Sequence, residues 1–150
     1  MPNTKISIAS DHGGRLLKYK LSLCLGEKAF EIIDHGVGVD DTTSVDYPDF
    51  ARKVALDVSS KKAWRGLLIC GTGIGMSLAA NRVKGVRATL VWNEYTAAMS
   101  RAHNNSNILV MGERTLNHDR ALDYLNIWLE TQFDSRHQRR LDKIETLCTS

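Results

Sequence analysis

One stretch decides the fold: Gly66-Leu67-Leu68-Ile69-Cys70-Gly71-Thr72-Gly73-Ile74-Gly75-Met76-Ser77. It opens as a short apolar run that ends at Cys70, and a run of this length bounded by glycines predicts a buried parallel strand. Glycines then alternate from Gly71 to Gly75, which frees the backbone to turn and to approach a ligand closely. A helix is predicted over residues 76–82, and its positive end favours an anion. The stretch therefore predicts a thiol beside an anion site.

Four further strands are predicted, and helices alternate with them along the chain. The strands are Ile6–Ser10, Phe30–Asp34, Val86–Val91 and Asn107–Met111. The helices are Arg15–Leu25 with Gly26 as its stop, one opened by Pro48, Glu94–Arg101, Leu116–Glu130 and a last one from Ser135 to Leu147. This alternation predicts an α/β fold, a three-layer α/β/α Rossmann-like sandwich with a five-stranded parallel sheet and a C-terminal helix. We expect residues 1–150 to form a single domain.

Composition narrows the possible functions. The net charge of +3 is mild, whereas nucleic-acid-binding domains carry a dominant basic face. The three cysteines, Cys24, Cys70 and Cys148, form no C-x-x-C pair, which favours free thiols in a reducing cytoplasm. No signal peptide or membrane-spanning run is evident. We interpret Cys24 as a core residue and Cys148 as functionally silent.

Ligands of parallel sheets bind at the carboxyl ends of the strands, so the polar residues that follow each strand are the candidates. They are Asp11 and His12, the Cys70–Gly75 segment, Trp92 and Asn93, and Arg114.

Cys70 has two interpretations. The helix end and the loop N–H groups would favour a thiolate that acts as a base or nucleophile. Alternatively, Cys70 is only the last buried residue of its strand. The glycine loop is neither a P-loop nor a complete G-x-G-x-x-G fingerprint, so it predicts an anion, either a phosphate or a developing oxyanion, without identifying the ligand.

The remaining candidates also have structural alternatives. Asp11 and His12 could share one polar ligand, or Asp11 could cap the first helix. His103 could act in chemistry or simply favour a helix dipole. Arg136 and Arg140 are spaced i, i+4 and would present two guanidinium groups on one helical face to a phosphate monoester, or form a solvated basic face or a nucleic-acid contact. No metal-ligand spacing is present, so no metal is proposed.

Taken together, this inventory suits proton abstraction next to a carbonyl on a small phosphorylated substrate. The loop would hold an enediolate, and the arginines would hold the remote phosphate.

At this level of detail the chain resembles the ribose-5-phosphate isomerase B group, which includes galactose-6-phosphate and allose-6-phosphate isomerases. The matching motifs, in the order of the family and over nearly the whole chain, are Asp11-His12, Ser44-Val45-Asp46-Tyr47-Pro48, Cys70-Gly71-Thr72-Gly73-Ile74-Gly75, Ala79-Ala80-Asn81, Gly85-Val86-Arg87-Ala88, Ser100-Arg101-Ala102-His103-Asn104, Gly112-Glu113-Arg114 and Arg136-His137-x-x-Arg140.

The resemblance implies isomerisation of an aldose phosphate through a cis-enediol without a cofactor. Cys70 resembles the base, and Thr72 with Gly71, Gly73, Ile74 and Gly75 resembles the enediolate site. His103 resembles the residue that opens the furanose ring, assisted by Asp11. Asn104 and Tyr47 resemble substrate contacts, and His12, Arg114, Arg136 and Arg140 resemble the phosphate grip. The resemblance also implies a homodimer or a dimer of dimers, with sites shared between subunits.

The expected substrate is ribose 5-phosphate or ribulose 5-phosphate. Another pentose or hexose phosphate stays open, because the bulky Trp92 could shape the sugar pocket. Two other classes are a non-catalytic phosphate-binding module and, less favoured, a nucleic-acid-binding module.

Overall fold

A computed structural model describes residues 4–147, so Cys148 lies outside the described part of the chain. Its strands are β1 Lys5–Ser10, β2 Glu31–Asp34, β3 Arg65–Cys70, β4 Ala88–Leu90 and β5 Ile108–Gly112. Its α-helices are α1 Arg15–Glu27, α2 Tyr47–Ser59, α3 Ile74–Ala80, α4 Glu94–Ala102, α5 His118–Glu130 and α6 Gln138–Glu145. No helix among these is long and apolar enough to cross a membrane.

The strands form one parallel sheet in the order β2-β1-β3-β5-β4. The chain leaves β1 towards β2 on one side and then crosses to β3 on the other. Later it places β4 at the edge before β5 returns to fill the space beside β3. The last strand in sequence is therefore the neighbour of the strand that ends at Cys70, and Cys70 pairs with Gly112.

Side chains of β3 alternate between two cores, as expected for a strand that is buried on both faces. Leu67 and Ile69 join the cluster formed with α1 and α5, and Cys24 packs against its margin. Leu68 and Cys70 join the cluster formed with α2 and α3. The predicted three-layer α/β/α arrangement is therefore confirmed, and the thiol is on the α2 and α3 side of the sheet.

Most predicted boundaries differ by one or two residues from those in the structure, and three differences concern features that the sequence had singled out. Gly26 does not stop α1, which continues to Glu27; the chain reverses at Ala29, whose φ is 63°. Packing of the apolar face outweighs the low helix propensity of one glycine. The helix after β3 covers Ile74–Ala80, not residues 76–82, so Gly75 lies inside its first turn.

The third correction concerns the last helix. Ser135–His137 is a 3-10 turn in which the Asp134 side chain accepts the Arg136 N–H, and α6 begins only at Gln138. The i, i+4 spacing of Arg136 and Arg140 had predicted that they share a face of one α-helix. They do not, because Arg136 lies in the 3-10 turn and Arg140 lies in α6.

Two glycines offer a matched test of this packing. A Cβ on Gly26 would meet nothing within 4 Å, whereas a Cβ on Gly112 would lie 2.5 Å from the Thr72 backbone carbon. Replacing Gly26 by Ala should raise the free energy of unfolding by about 0.5–1 kcal/mol, because alanine favours the helix. Replacing Gly112 by Ala should lower it by about 1–3 kcal/mol through overpacking. Urea unfolding measures both, and equal stability of the two variants would contradict the close approach of Gly112 to Thr72.

Candidate active site

The candidate site lies at the topological switch point of the sheet, between the carboxyl ends of β1 and β3. The connections after β1 and β3 leave towards opposite sides, and a crevice forms between the carboxyl ends of two such strands. Asp11 and His12 follow β1, and Cys70 ends β3. The switch point therefore places Asp11 and His12 at the same crevice as Cys70.

Cys70 is 5% exposed, and its Sγ accepts the Gly73 N–H at 3.2 Å. The loop after β3 therefore directs a backbone N–H at the sulfur. Gly73 can make this contact because it adopts a φ of 80° directly before α3. Cys70 is therefore the last buried residue of β3, and its sulfur also receives a backbone donor. A role as base or nucleophile stays a prediction.

The other two loop glycines permit close approach and do not adopt positive φ. A Cβ on Gly71 would lie 3.0 Å from the Arg114 guanidinium, and one on Gly75 would lie 2.5 Å from the Tyr47 ring. The alternating glycines thus bring Arg114 and Tyr47 directly against the backbone that follows the thiol. Thr72 accepts the Ile74 N–H at 3.3 Å, which braces the turn between them.

Three polar groups meet beside Gly13. The Asp11 Oδ1, the Gly71 amide nitrogen and an Arg114 Nη lie 3.3, 3.3 and 3.4 Å from the position that a Cβ on Gly13 would take. Asp11 is largely buried and its Oδ1 accepts the Gly13 N–H at 2.9 Å. It therefore caps the 3-10 turn His12–Gly14, and not the helix α1 that one alternative had predicted. The cap occupies one carboxylate oxygen and leaves Asp11 in the same small volume as a cation and a backbone donor.

His12 is oriented by the long segment after β2. Its Nδ1 accepts the Val45 N–H at 3.2 Å, so in the neutral ring the proton resides on Nε2. The Ser44–Pro48 motif therefore presents His12 as a hydrogen-bond donor through Nε2. We call Asp11, His12, Tyr47, Arg114 and the 70–75 segment the thiol cluster.

A second group surrounds the end of α4. His103 follows the helix, and its ring lies 4.3 Å from that of His137, centroid to centroid. Arg140 Nη1 lies 3.1 Å from His137 Nδ1, and Arg136 pairs with Asp134 at 2.7 Å. We call His103, Asn104, Arg136, His137 and Arg140 the histidine cluster. His137 stood within a recognised motif but had no predicted role, because its contact with His103 spans 34 positions in sequence and has no local signal.

Desolvation, followed by the positive charges of His103 and Arg136, lowers the pKa of His137 below its ordinary value. The lowered pKa disfavours the cation, and the His137 ring lies tilted by 37° against the ring of His103. The cluster thus joins two guanidinium groups to two imidazoles.

Two arginines, Arg101 and Arg87, stabilise the turn that carries His103 and Asn104. Arg101 donates to Asn105 Oδ1 at 2.9 Å and to the Ser106 carbonyl, while Arg87 Nε donates to the Asn105 carbonyl at 2.9 Å. Burial and the neighbouring Arg87 lower the pKa of Arg101. Asn104 opens onto a cavity of about 300 Å³ between the β4 region and α6.

The two clusters lie at opposite ends of the sheet. α4 starts after the carboxyl end of β4 and runs back, so His103 lies at the amino end, five residues before β5 begins. β5 then rises from Ile108 to Gly112, which is opposite Cys70. Four steps of about 3.3 Å separate these levels by about 13 Å. Within one copy of the chain, His103 therefore lies far from Cys70.

Of the two candidates after β4, Asn93 is a helix cap and Trp92 lies at the surface. Asn93 Oδ1 accepts the Thr96 N–H at 2.7 Å and caps α4. Trp92 is 57% exposed.

Among the described residues no group of three or more His, Cys, Asp or Glu side chains could hold a metal ion.

A parallel α/β sheet that gathers a thiol, a carboxylate and a guanidinium at its switch point is typical of an enzyme that acts on a small anionic substrate. Residues 6–144 match the family model described as Ribose/Galactose Isomerase. The chain belongs to the ribose/galactose isomerase family and is a sugar-phosphate isomerase.

Individual relatives agree with this assignment. The putative sugar phosphate isomerase YwlF of Bacillus subtilis is 47% identical over 141 residues, which cover 93% of this chain and 94% of the relative. The structure of Clostridium thermocellum ribose-5-phosphate isomerase B is 48% identical with a TM-score of 0.92, over 95% of this chain and 96% of that one. Ribose-5-phosphate isomerase B from Mycoplasma genitalium, solved with bound ribulose-5-phosphate, is 43% identical with a TM-score of 0.89, over 95% of each chain.

The tautomer of His12 can be tested directly. In ¹⁵N-edited NMR spectra at neutral pH we expect the Nε2–H form of His12, because Val45 N–H occupies Nδ1. Replacing Val45 by Pro removes that donor and should shift the ring towards a mixture of both tautomers. Val45→Ala keeps the donor and is the control, so a predominant Nδ1–H form in that variant would refute the assignment.

Proposed function

We propose that this enzyme interconverts ribose 5-phosphate and ribulose 5-phosphate in the cytoplasm, without a cofactor. The observation that carries the proposal is the Cys70 sulfur, which receives the Gly73 N–H at the switch point of the sheet. The ribulose-5-phosphate bound to the Mycoplasma genitalium relative supports a pentose phosphate as substrate. Free cysteines at positions 24 and 70 suit a reducing compartment.

In this mechanism the Cys70 thiolate removes the proton from C2 of the open-chain aldose. The electrons of that C–H bond form the double bond of a cis-enediolate, and the negative charge moves to O1. Returning the proton to C1, with transfer of the hydroxyl proton from O2 to O1, gives the ketose without net oxidation. A carbon acid next to a carbonyl requires both a base and stabilisation of the developing oxyanion.

The thiol cluster supplies that stabilisation. The Gly71 amide nitrogen and the Arg114 guanidinium flank the same volume as Asp11. We assign the enediolate to the loop of Gly71, Thr72, Gly73, Ile74 and Gly75, and the sugar oxygens to Asp11 and Tyr47. A preorganised donor in such a place costs no reorganisation when charge develops.

The substrate phosphate is assigned to cations from both clusters. Arg114 and the Nε2–H of His12 come from the thiol cluster, and Arg136 and Arg140 come from the histidine cluster. Arginine forks match the geometry of a phosphate monoester, and several of them distribute its two negative charges. His103 opens the furanose ring by giving a proton to the ring oxygen as the bond between that oxygen and C1 breaks. Asp11 takes the proton of the C1 hydroxyl, which becomes the aldehyde oxygen, and Asn104 contacts a sugar hydroxyl.

These assignments need a second copy of the chain, because one copy holds the clusters at opposite ends of β5. We therefore propose a homodimer, alone or paired into a dimer of dimers, in which the histidine cluster of one copy completes the thiol cluster of the other. Ile74 and Leu78 lie one turn apart on α3 beside the thiol and are 55% and 65% exposed. Because these side chains and Trp92 are only a little over half exposed, covering each one would contribute about half of the ~1.5–3 kcal/mol that full burial contributes.

A substrate panel tests the reaction. We expect the wild-type enzyme to convert ribose 5-phosphate with higher kcat/KM than allose 6-phosphate or galactose 6-phosphate. Cys70→Ala should lower kcat by at least about a thousandfold while substrate binding survives, since only the base is lost. Cys24→Ala is the matched control and should keep full activity. Near wild-type turnover by Cys70→Ala would exclude the thiol mechanism, and a preference for a hexose phosphate would reassign the substrate.

Mixing two inactive variants tests the shared site. Cys70→Ala and His103→Ala should each be inactive alone. After unfolding and refolding together, heterodimers contain one site with both groups intact, so about a quarter of all sites should recover activity. Activity assayed against the mixing ratio measures this. If the mixture stays inactive although heterodimers form, each site is built from one chain.

A further inference from the structure

We propose that Glu113 is a positioning residue that locks Arg114 and the start of α1 into one arrangement around Cys70. This inference rests on the proposed function, since it assigns a role to a residue beside the phosphate-binding cations. Glu113 itself touches neither the thiol nor, in the proposed mechanism, the substrate.

The start of α1 cannot cap itself. Its N-cap is Gly14, which has no side chain, and a Cβ there would lie 2.5 Å from the Ile69 carbonyl oxygen. A serine or aspartate cap at this position is therefore excluded by the close packing of the turn on β3. The first N–H groups of a helix need acceptors from elsewhere.

Glu113 supplies one of them from the loop after β5. Its Oε1 accepts the Leu17 N–H at 2.7 Å, across 96 positions in sequence. Leu17 is fully buried, so this end of α1 is fixed to the core on one side and to Glu113 on the other. The carboxylate also lies at the positive end of the α1 dipole. That helix end is therefore occupied, and the neighbouring cations are the groups that can bind an anion.

The backbone around Glu113 is attached to β3. The Glu113 N–H donates to the Cys70 carbonyl and the Arg114 N–H donates to the Gly71 carbonyl, each at 2.9 Å. His118 Nε2 lies 3.3 Å from the Glu113 carbonyl on the far side. Glu113 therefore ties its own loop to two other segments: its main chain binds the end of β3 at Cys70, and its side chain binds the helix that follows Asp11 and His12.

Arg114 depends on this arrangement. Its guanidinium lies against both Gly71 and Gly13, which belong to the two segments that Glu113 joins. If the side-chain bond is lost, the α1 end can shift relative to the loop, and Arg114 and His12 no longer face one phosphate. Small misplacements of such groups weaken substrate binding more than they change the chemistry at a distant carbon.

The test compares Glu113→Ala with Asn117→Ala. Asn117 caps α5 by accepting the Asp119 and Arg120 N–H groups, so its loss also removes a helix cap but leaves the site untouched. Both variants should lower the melting temperature. Only Glu113→Ala should raise the KM for ribose 5-phosphate, by roughly tenfold, with kcat within about threefold of wild type. Glu113→Gln keeps an acceptor oxygen and should restore most of the KM.

Three outcomes would overturn the proposal: an unchanged KM in Glu113→Ala, an equal rise in Asn117→Ala, or no recovery in Glu113→Gln. If Glu113→Ala does not fold, Glu113→Asp carries the same test, because its shorter side chain no longer reaches Leu17. If the wild-type enzyme does not turn over ribose 5-phosphate, the proposed function fails by itself. The same variants are then compared by their Kd for inorganic phosphate, where the same order is expected and equal values would reject the role of Glu113.

Discussion

The pairing of β3 with β5 is the contact on which the site depends. The ladder does not stop at the strand ends: Cys70 pairs with Gly112, and the next two N–H groups of the β5 loop donate to the Cys70 and Gly71 carbonyls. Two loops that would otherwise be independent are thereby held in register. This extension requires a glycine at position 112, because the Thr72 backbone passes where a side chain would begin. The site is therefore rigid for the same reason that the sheet is, and its cation and thiol belong to one hydrogen-bonded unit.

The glycines after the thiol illustrate how one sequence pattern covers several physical causes. Only Gly73 needs positive φ, which lets its N–H reach the Cys70 sulfur. Gly71 and Gly75 instead remove the Cβ atoms that would exclude the Arg114 guanidinium and the Tyr47 ring. Alternation predicted a close approach of the backbone to a ligand, and the structure shows close approaches to Arg114 and Tyr47. It did not reveal that the groups are side chains of this same protein, because nothing local in the sequence distinguishes them from a ligand.

What the sequence made predictable follows from local signals. Apolar runs between turn residues identified all five strands, and strand ends located Asp11, His12 and Cys70 at one edge. The order of the last two strands has no such signal, yet it decides that Arg114 lies beside Gly71 and that β4 is an edge. Likewise, i, i+4 spacing suggested one helical face for Arg136 and Arg140, but capping by Asp134 makes the first turn 3-10. Capping of α1 by Glu113 was equally hidden, since the partners are 96 positions apart.

The position of His103 at the end of α4 bears on whether one chain can form the proposed site alone. In a right-handed crossover the helix must return to the amino end of the sheet before the next parallel strand can start. A residue that ends such a helix, as His103 ends α4, is thus a full strand length away from residues that end strands. No side-chain rotation spans about 13 Å along a strand. If His103 acts on the same sugar as Cys70, the two must come from different copies of the chain. In the proposed dimer, the second copy would cover exposed apolar side chains of α3 such as Ile74 and Leu78, and the same contact would bring its histidine cluster to the thiol.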